Sequence, residues 1–237
     1  PEGLPVVASI ALARGMWRLA RRNALIERLA AVETLGSTNV ICTDKTGTLT
    51  ENRMTLAHLA LDDGEVRIDD AGGPTRQARL ARDEAGASRD DPLIRRALEV
   101  AALCNSAELD WRAEVAAGEG DPMELALIAG AAACGVDRRE LVEAQPELRE
   151  VAFDTDVMMM ATYHRADAQV RVAVKGAPEA VLERCTRVAT PEGEEALDEA
   201  GREAWSERNA ALAAQGFRAL ALAEKRVASA DAEPYEE

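Results

Sequence analysis

The sequence predicts two architectures in series. Residues 54–237 read as an α+β domain, an antiparallel sheet flanked by helices, and residues 23–53 as the first strand and loop of an α/β domain. Residues 1–22 read as a short apolar helix with a basic end. Three observations carry this. An apolar run, Asn39 to Cys42, delivers Asp44 into a hydroxyl-rich loop containing Gly47. Segments 148–153, 159–165 and 169–175 alternate or run apolar at strand length, and two Asp-Pro pairs, at 91–92 and 121–122, mark helix starts.

From Val6 to Ala13 every residue is small or apolar, a run shorter than the roughly 20 needed to span a bilayer. Arg14, Arg18, Arg21, Arg22 and Arg28 then gather around Trp17, the pattern of a membrane helix leaving on its cytoplasmic side. An amphipathic helix in water is the alternative. No secretory leader opens the chain, and without an initial Met it reads as an internal segment of a longer protein.

Asn39 to Cys42 suits a short buried parallel strand, and Gly47 lets backbone N–H groups approach an anion. Thr43, Thr46, Thr48 and Thr50 add hydroxyls and Lys45 adds a positive charge. Such a loop presents an aspartate as a nucleophile to phosphorus, although Asp-Lys-Thr-Gly alone is ordinary turn chemistry.

Beyond Asn52, a strand is expected over 54–61, then an exposed connection with short strands to Asp90. Asp91-Pro92 starts a helix to about Ala107, and Asp121-Pro122 another to near Gly135. Asp121 and Glu124 have capping-box spacing. Ala166-Asp167-Ala168 turns a hairpin, helices fit 178–185 and 194–215 with Gly216 just past the end, and a strand fits 217–223.

At 237 residues and 47% hydrophobic, the chain can bury a core and form one or two domains. A net charge of −15 argues against nucleic acid as a partner. Cys42, Cys104, Cys134 and Cys185 are widely spaced, and with only His58 and His164 beside them no zinc site is expected. Reduced thiols are the simplest account.

The string Asp44-Lys45-Thr46-Gly47-Thr48-Leu49-Thr50 resembles the phosphorylation signature of the P-type cation-transporting ATPases. Pro1-Glu2-Gly3-Leu4-Pro5 is similar to the unwound middle of a membrane helix in their calcium-pump-like branch, and Val32 to Gly36 matches the lead-in to the phosphorylation strand. The resemblance covers nearly the whole chain. It implies a nucleotide-binding domain over 54–237, a haloacid-dehalogenase-like phosphorylation domain begun by 23–53, and half a transmembrane helix with its stalk over 1–22.

It also implies roles. Asp44 would accept the γ-phosphate of ATP, with Lys45, Thr46 and Thr48 around it; Asp44 and Thr46 would hold part of a magnesium site; Glu2 would ligate the transported cation. In the nucleotide domain, Glu124 would contact the adenine amino group, Phe153 would stack on the base, Lys175 and Gly176 would form the adenine pocket, and Arg218 would reach the phosphates. Helix capping for Glu124 and a core position for Phe153 are the plainer alternatives.

The departures from the family pattern are also specific. The wider class places its acid/base aspartate where Thr46 stands, and a threonine cannot activate water at neutral pH, so a phosphate on Asp44 should persist. Met123 replaces the family's usual threonine, and Met158 stands where a lysine is usual, which should weaken ATP binding. Later family segments are missing, including a return strand whose loss would expose a sheet edge. The implied protein is an integral membrane pump, this region mostly cytoplasmic, with ATP, magnesium, a cation (calcium as first choice) and the membrane as partners. The chain alone should bind ATP without transporting. A soluble phosphatase of the dehalogenase class and a non-catalytic nucleotide-binding module are the alternatives.

Overall fold

Pro5 in the first turn and a composition weighted toward Ala, Leu, Arg and Met make Leu4–Ala20 a helix, α1, in the computed structural model, Gly15 notwithstanding. The structure describes residues 3–45, 47–50, 53–69, 78–82, 85–86, 88–110 and 117–236. The chain divides into two units, residues 1–52 and 53–237. In the first, α1 is followed by α2 (Leu29–Ser37), and neither helix buries a side chain. Among the described residues no helix is long and apolar enough to cross a membrane.

The strand expected at 39–42 does not form. Val40 and Ile41 are 72% and 80% exposed, and the segment has no regular structure. A parallel strand exists only through ladder bonds to neighbouring strands, and no described strand pairs with this segment.

The second unit opens with β1 (His58–Leu61), β2 (Gly64–Asp69), β3 (Arg79–Arg82) and β4 (Ala85–Gly86), an antiparallel sheet in that order. Helix α3 (Pro92–Leu103) follows, capped by Asp91, whose carboxylate accepts from Leu93 N and Ile94 N. It ends before the expected Ala107 because Cys104 leaves helical geometry and Asn105 Oδ1 turns the chain by accepting from Ala107 N at 2.9 Å. A short hairpin, β5 (Glu108–Asp110) and β6 (Ala117–Glu119), leads into α4 (Pro122–Ala133), then α5 (Arg138–Ala144).

The main sheet comprises β7 (Glu147–Asp154), β8 (Met159–Ala166), β9 (Gln169–Gly176) and β12 (Ala221–Val227), all antiparallel, in the order β12-β9-β8-β7. Asp167, at φ 54°, turns the β8-β9 hairpin where expected. Between β9 and β12 lie α6 (Pro178–Arg184), β10 (Arg187–Thr190), β11 (Gly193–Ala196) and α7 (Glu199–Ala214). The helix expected from Glu194 therefore starts five residues later. Glu194 and Glu195 pair with Ala189 and Val188 in a hairpin, and Asp198 caps the helix by accepting from Gly201 N at 2.8 Å.

Helix α3 joins the two sheets because it carries two apolar stripes. Ile94, Leu98 and Ala102, four residues apart, pack with Leu59, Val66, Ile68 and Leu80 of the first sheet. Val100, Leu103 and Cys104 pack with Met160 and Ala173 of the main sheet. The opposite face of that sheet buries Tyr163, Val172 and Val174 with Val181 of α6. Covered on both faces, β8 and β9 are buried almost end to end, whereas β7, at the sheet edge, is largely exposed.

Candidate functional site

In the first unit the loop after Cys42 closes on a single carbonyl. Leu49 N and Thr50 N both donate to Lys45 O, at 3.0 and 3.2 Å, and Gly47 N donates to Thr50 Oγ1 at 3.4 Å. Gly47 takes φ 76°, left-handed backbone that a side chain would strain. Asp44, Lys45 and Thr48 are exposed around this turn, and Thr43 Oγ1 donates to Asp44 O at 3.2 Å. Thr46, expected beside Asp44, and Glu2, expected to ligate the transported cation, lie outside the described residues. Of the expected magnesium donors the described residues present Asp44 alone, and they hold no cluster of three His, Cys, Asp or Glu side chains suited to a metal. One carboxylate makes only part of a magnesium site, which substrate phosphates would complete.

In the second unit, strand register builds a rim. Asp154, Met159, Gly176 and Ala221 are paired across β7, β8, β9 and β12, so the four strand ends align. Phe153 sits beside that row on β7, Lys175 beside it on β9, and Arg218 precedes β12 by three residues. Lys175 shares its sheet face with its register partners Met160 and Leu222, which pack toward α3.

There Lys175 Nζ pairs with the carboxylate of Glu124, from the first turn of α4. The two side chains are only 9% and 15% exposed. A nearly buried ammonium needs a counter-charge, and Glu124 supplies it. The capping box is accordingly not made. Asp121 accepts from Met123 N at 2.8 Å, while the Glu124 side chain turns toward the sheet. Two groups expected at the adenine pocket, 51 residues apart in sequence, thus meet.

Phe153 is 53% exposed and belongs to no apolar cluster, so its side chain is not a core residue. The turn beside it is tight: Met158 N donates to Asp154 O at 2.6 Å, and Asp156 N to Asp154 Oδ1 at 2.7 Å. Met158 adopts φ 60° and is 43% exposed. Gly176 is required by this turn. A Cβ there would stand 2.5 Å from Met158 O and from Met159 Cγ, so the close backbone approach is to the neighbouring strand. Arg218 is exposed, with no hydrogen bond or ion pair among the described residues, and Phe217 beside it rests on His58 at 4.6 Å between ring centroids.

Sequence reasoning passed over the floor of this region. Asn105, fully buried, donates through Nδ2 to Glu124 O at 3.0 Å and ties the start of α4 to the end of α3. Cys104, also fully buried, donates its thiol to Met160 O at 3.4 Å, and burial pushes that thiol up to about 12. Asn105 is legible as a helix stop, but nothing local to it names Glu124 as its partner.

A family model described as "P-type ATPase, cytoplasmic domain N" matches residues 93–237. The chain is 38% identical over 234 residues to Cation-transporting ATPase pma1 of Synechocystis, covering 96% of this chain and 25% of that protein. It is 33% identical over 231 residues to Calcium-transporting ATPase 1 of Bacillus cereus, covering 98% and 24%. Against the Sodium/potassium-transporting ATPase subunit alpha of Tetronarce californica it is 34% identical over 234 residues, covering 93% and 22%. The chain thus spans about a quarter of the length of the curated relatives it matches.

Proposed function

Because this chain belongs to the P-type cation-transporting ATPases, we propose that residues 54–237 bind ATP and that Asp44 accepts its terminal phosphoryl group. The observation that carries the nucleotide reading is the meeting of Glu124 and Lys175 beside an exposed Phe153 at one rim of the main sheet. An adenine ring there would stack on Phe153, and its amino group would be read by the Glu124 carboxylate that Lys175 holds in place. Arg218, exposed and without a partner among the described residues, is free to take phosphate oxygens bidentately.

At Asp44 the step is an in-line displacement. A carboxylate oxygen forms a bond to the γ-phosphorus, the bond from that phosphorus to the bridging oxygen breaks, and ADP leaves with the electron pair. Magnesium, held by Asp44 and Thr46 when bound, would offset charge on the phosphates. Thr46, in place of a carboxylate, leaves the acyl phosphate without a nearby base and so gives it time. In the longer pump this lifetime would be spent on moving a cation, calcium being the choice favoured by Glu2 in its proline-flanked motif, with residues 1–22 leading from the membrane. The 237-residue chain alone is proposed to bind ATP without transporting.

Titration calorimetry with ATP tests the pocket. Binding to the chain as it stands should be weak, because Met158 offers no positive charge. Phe153→Ala should weaken it by about 1–3 kcal/mol, the worth of base stacking on an aromatic ring. Replacing the pair together, Lys175→Met with Glu124→Gln, avoids stranding a buried charge and should also weaken it. No heat of ATP binding, or equal binding by all three proteins, would overturn the pocket; a low micromolar constant would overturn the role given to Met158.

A further inference from the structure

The end of α1 carries a second charged surface, one that the chemistry at Asp44 and Lys175 does not use. Arg14, Trp17, Arg18, Arg21 and Arg22 follow the spacing i, i+3, i+4, i+7, i+8, so they form one stripe along the helix and its first residues beyond. They line a single open depression. All five are exposed, Trp17 by 57%, and Arg21 lies over its ring at 4.2 Å. None of the four arginines has an acidic partner among the described residues. A helix dipole alone asks for a cation or two in the last turn, not for a stripe two turns long.

Ahead of the stripe, the same helix exposes Leu4, Val6, Val7 and Ile10, between 59% and 73%. The ten residues from Leu4 to Ala13 rise about 15 Å, half the thickness of a hydrocarbon core. An apolar half-span ending in a tryptophan and four guanidiniums without acidic partners among the described residues has the layering of a bilayer boundary.

We propose that this stripe binds the phosphate headgroups of anionic phospholipids at the bilayer surface. The proposal rests on the reading of residues 1–22 as membrane-associated and adds the lipid class. Guanidinium forks match phosphate oxygens, and Trp17 places an amphipathic ring at headgroup depth while stacking Arg21. With a net charge of −15, the chain as a whole is repelled by an anionic surface, so attraction must be local to such a patch.

The test is co-sedimentation of the 237-residue chain with vesicles of phosphatidylcholine alone or of phosphatidylcholine containing phosphatidylserine. Binding should be stronger to the anionic vesicles and should weaken as salt is raised. Arg18→Gln with Arg22→Gln should reduce anionic binding by on the order of fivefold per guanidinium lost and leave binding to neutral vesicles unchanged. Glutamine keeps the helix, which circular dichroism would verify. Equal binding to both vesicles, or anionic binding untouched by the double substitution, overturns the headgroup site while sparing the membrane reading. Binding to neither overturns both.

Discussion

Residues 53–237 bury three apolar clusters, two of them built on α3 and the third on the opposite face of the main sheet, whereas α1 and α2 of residues 1–52 bury no side chain. Yet the family's most specific string lies in the region without a core. A sheet-and-helix domain specifies itself, since its strands pair with one another and its helices cover them. A loop that depends on a strand at 39–42 inherits order from strands it must borrow. The chemistry proposed at Asp44 is therefore written in a local string, while the rim around Lys175 is positioned by strands and helices within the same unit.

Thiol labelling should separate the regions most widely. In variants keeping one cysteine each, exposed Cys42 should be labelled readily, whereas Cys104, fully buried and with its thiol pushed up to about 12 by burial, should be labelled far more slowly. Comparable labelling rates would mean that the packing between α3 and the main sheet is open to solvent.

Core truncation should show the next largest contrast. Leu98→Ala, at a side chain 1% exposed, should cost about 2–5 kcal/mol in denaturant unfolding. Ile41→Ala, at 80% exposure, should stay within about 0.5 kcal/mol. A large loss from the second substitution would show that residues 39–42 are packed and would remove the distinction drawn between the regions.

Acid should act more gently, through a buried histidine of the second unit. His164 is fully buried, its Nδ1–H donating to Gln145 O at 3.1 Å with Nε2 2.9 Å from Thr162 Oγ1. Burial, aided by Arg138 and Arg171, lowers its pKa below the ordinary 6.5. The unfolded chain then takes the proton more readily than the folded one. The contribution is fully present above about pH 6.5 and is lost as pH falls toward the folded value, at most about 1.4 kcal/mol per unit. His164→Gln should flatten that slope in unfolding curves taken across the window; an unchanged slope would assign it to other groups.

Much of this was legible in the residues, and the misses have definite causes. Asp91-Pro92 and Asp121-Pro122 start α3 and α4 as expected because capping is settled by a side chain and the next two amides. The β8-β9 hairpin was equally local. The β10-β11 hairpin was not, since Glu194 and Glu195 have helical composition and become strand only by pairing back on Val188 and Ala189, with Glu194 also held by Arg96 at 2.6 Å. The close approach of Gly176 to the backbone of Met158 was equally out of reach, since it depends on the register of β9 against β8.

By itself the sequence determined the family, the caps, the turn at Asp167 and the candidate residues, because short motifs and adjacent amides encode them without reference to the rest of the chain. Tertiary structure alone decided that Glu124 turns away from its helix cap to neutralise Lys175, that Phe153 stays out of the core, and that no described strand pairs with residues 39–42. Each of those outcomes is a competition between a local bond and a distant partner, and only the folded arrangement says whether the partner arrives.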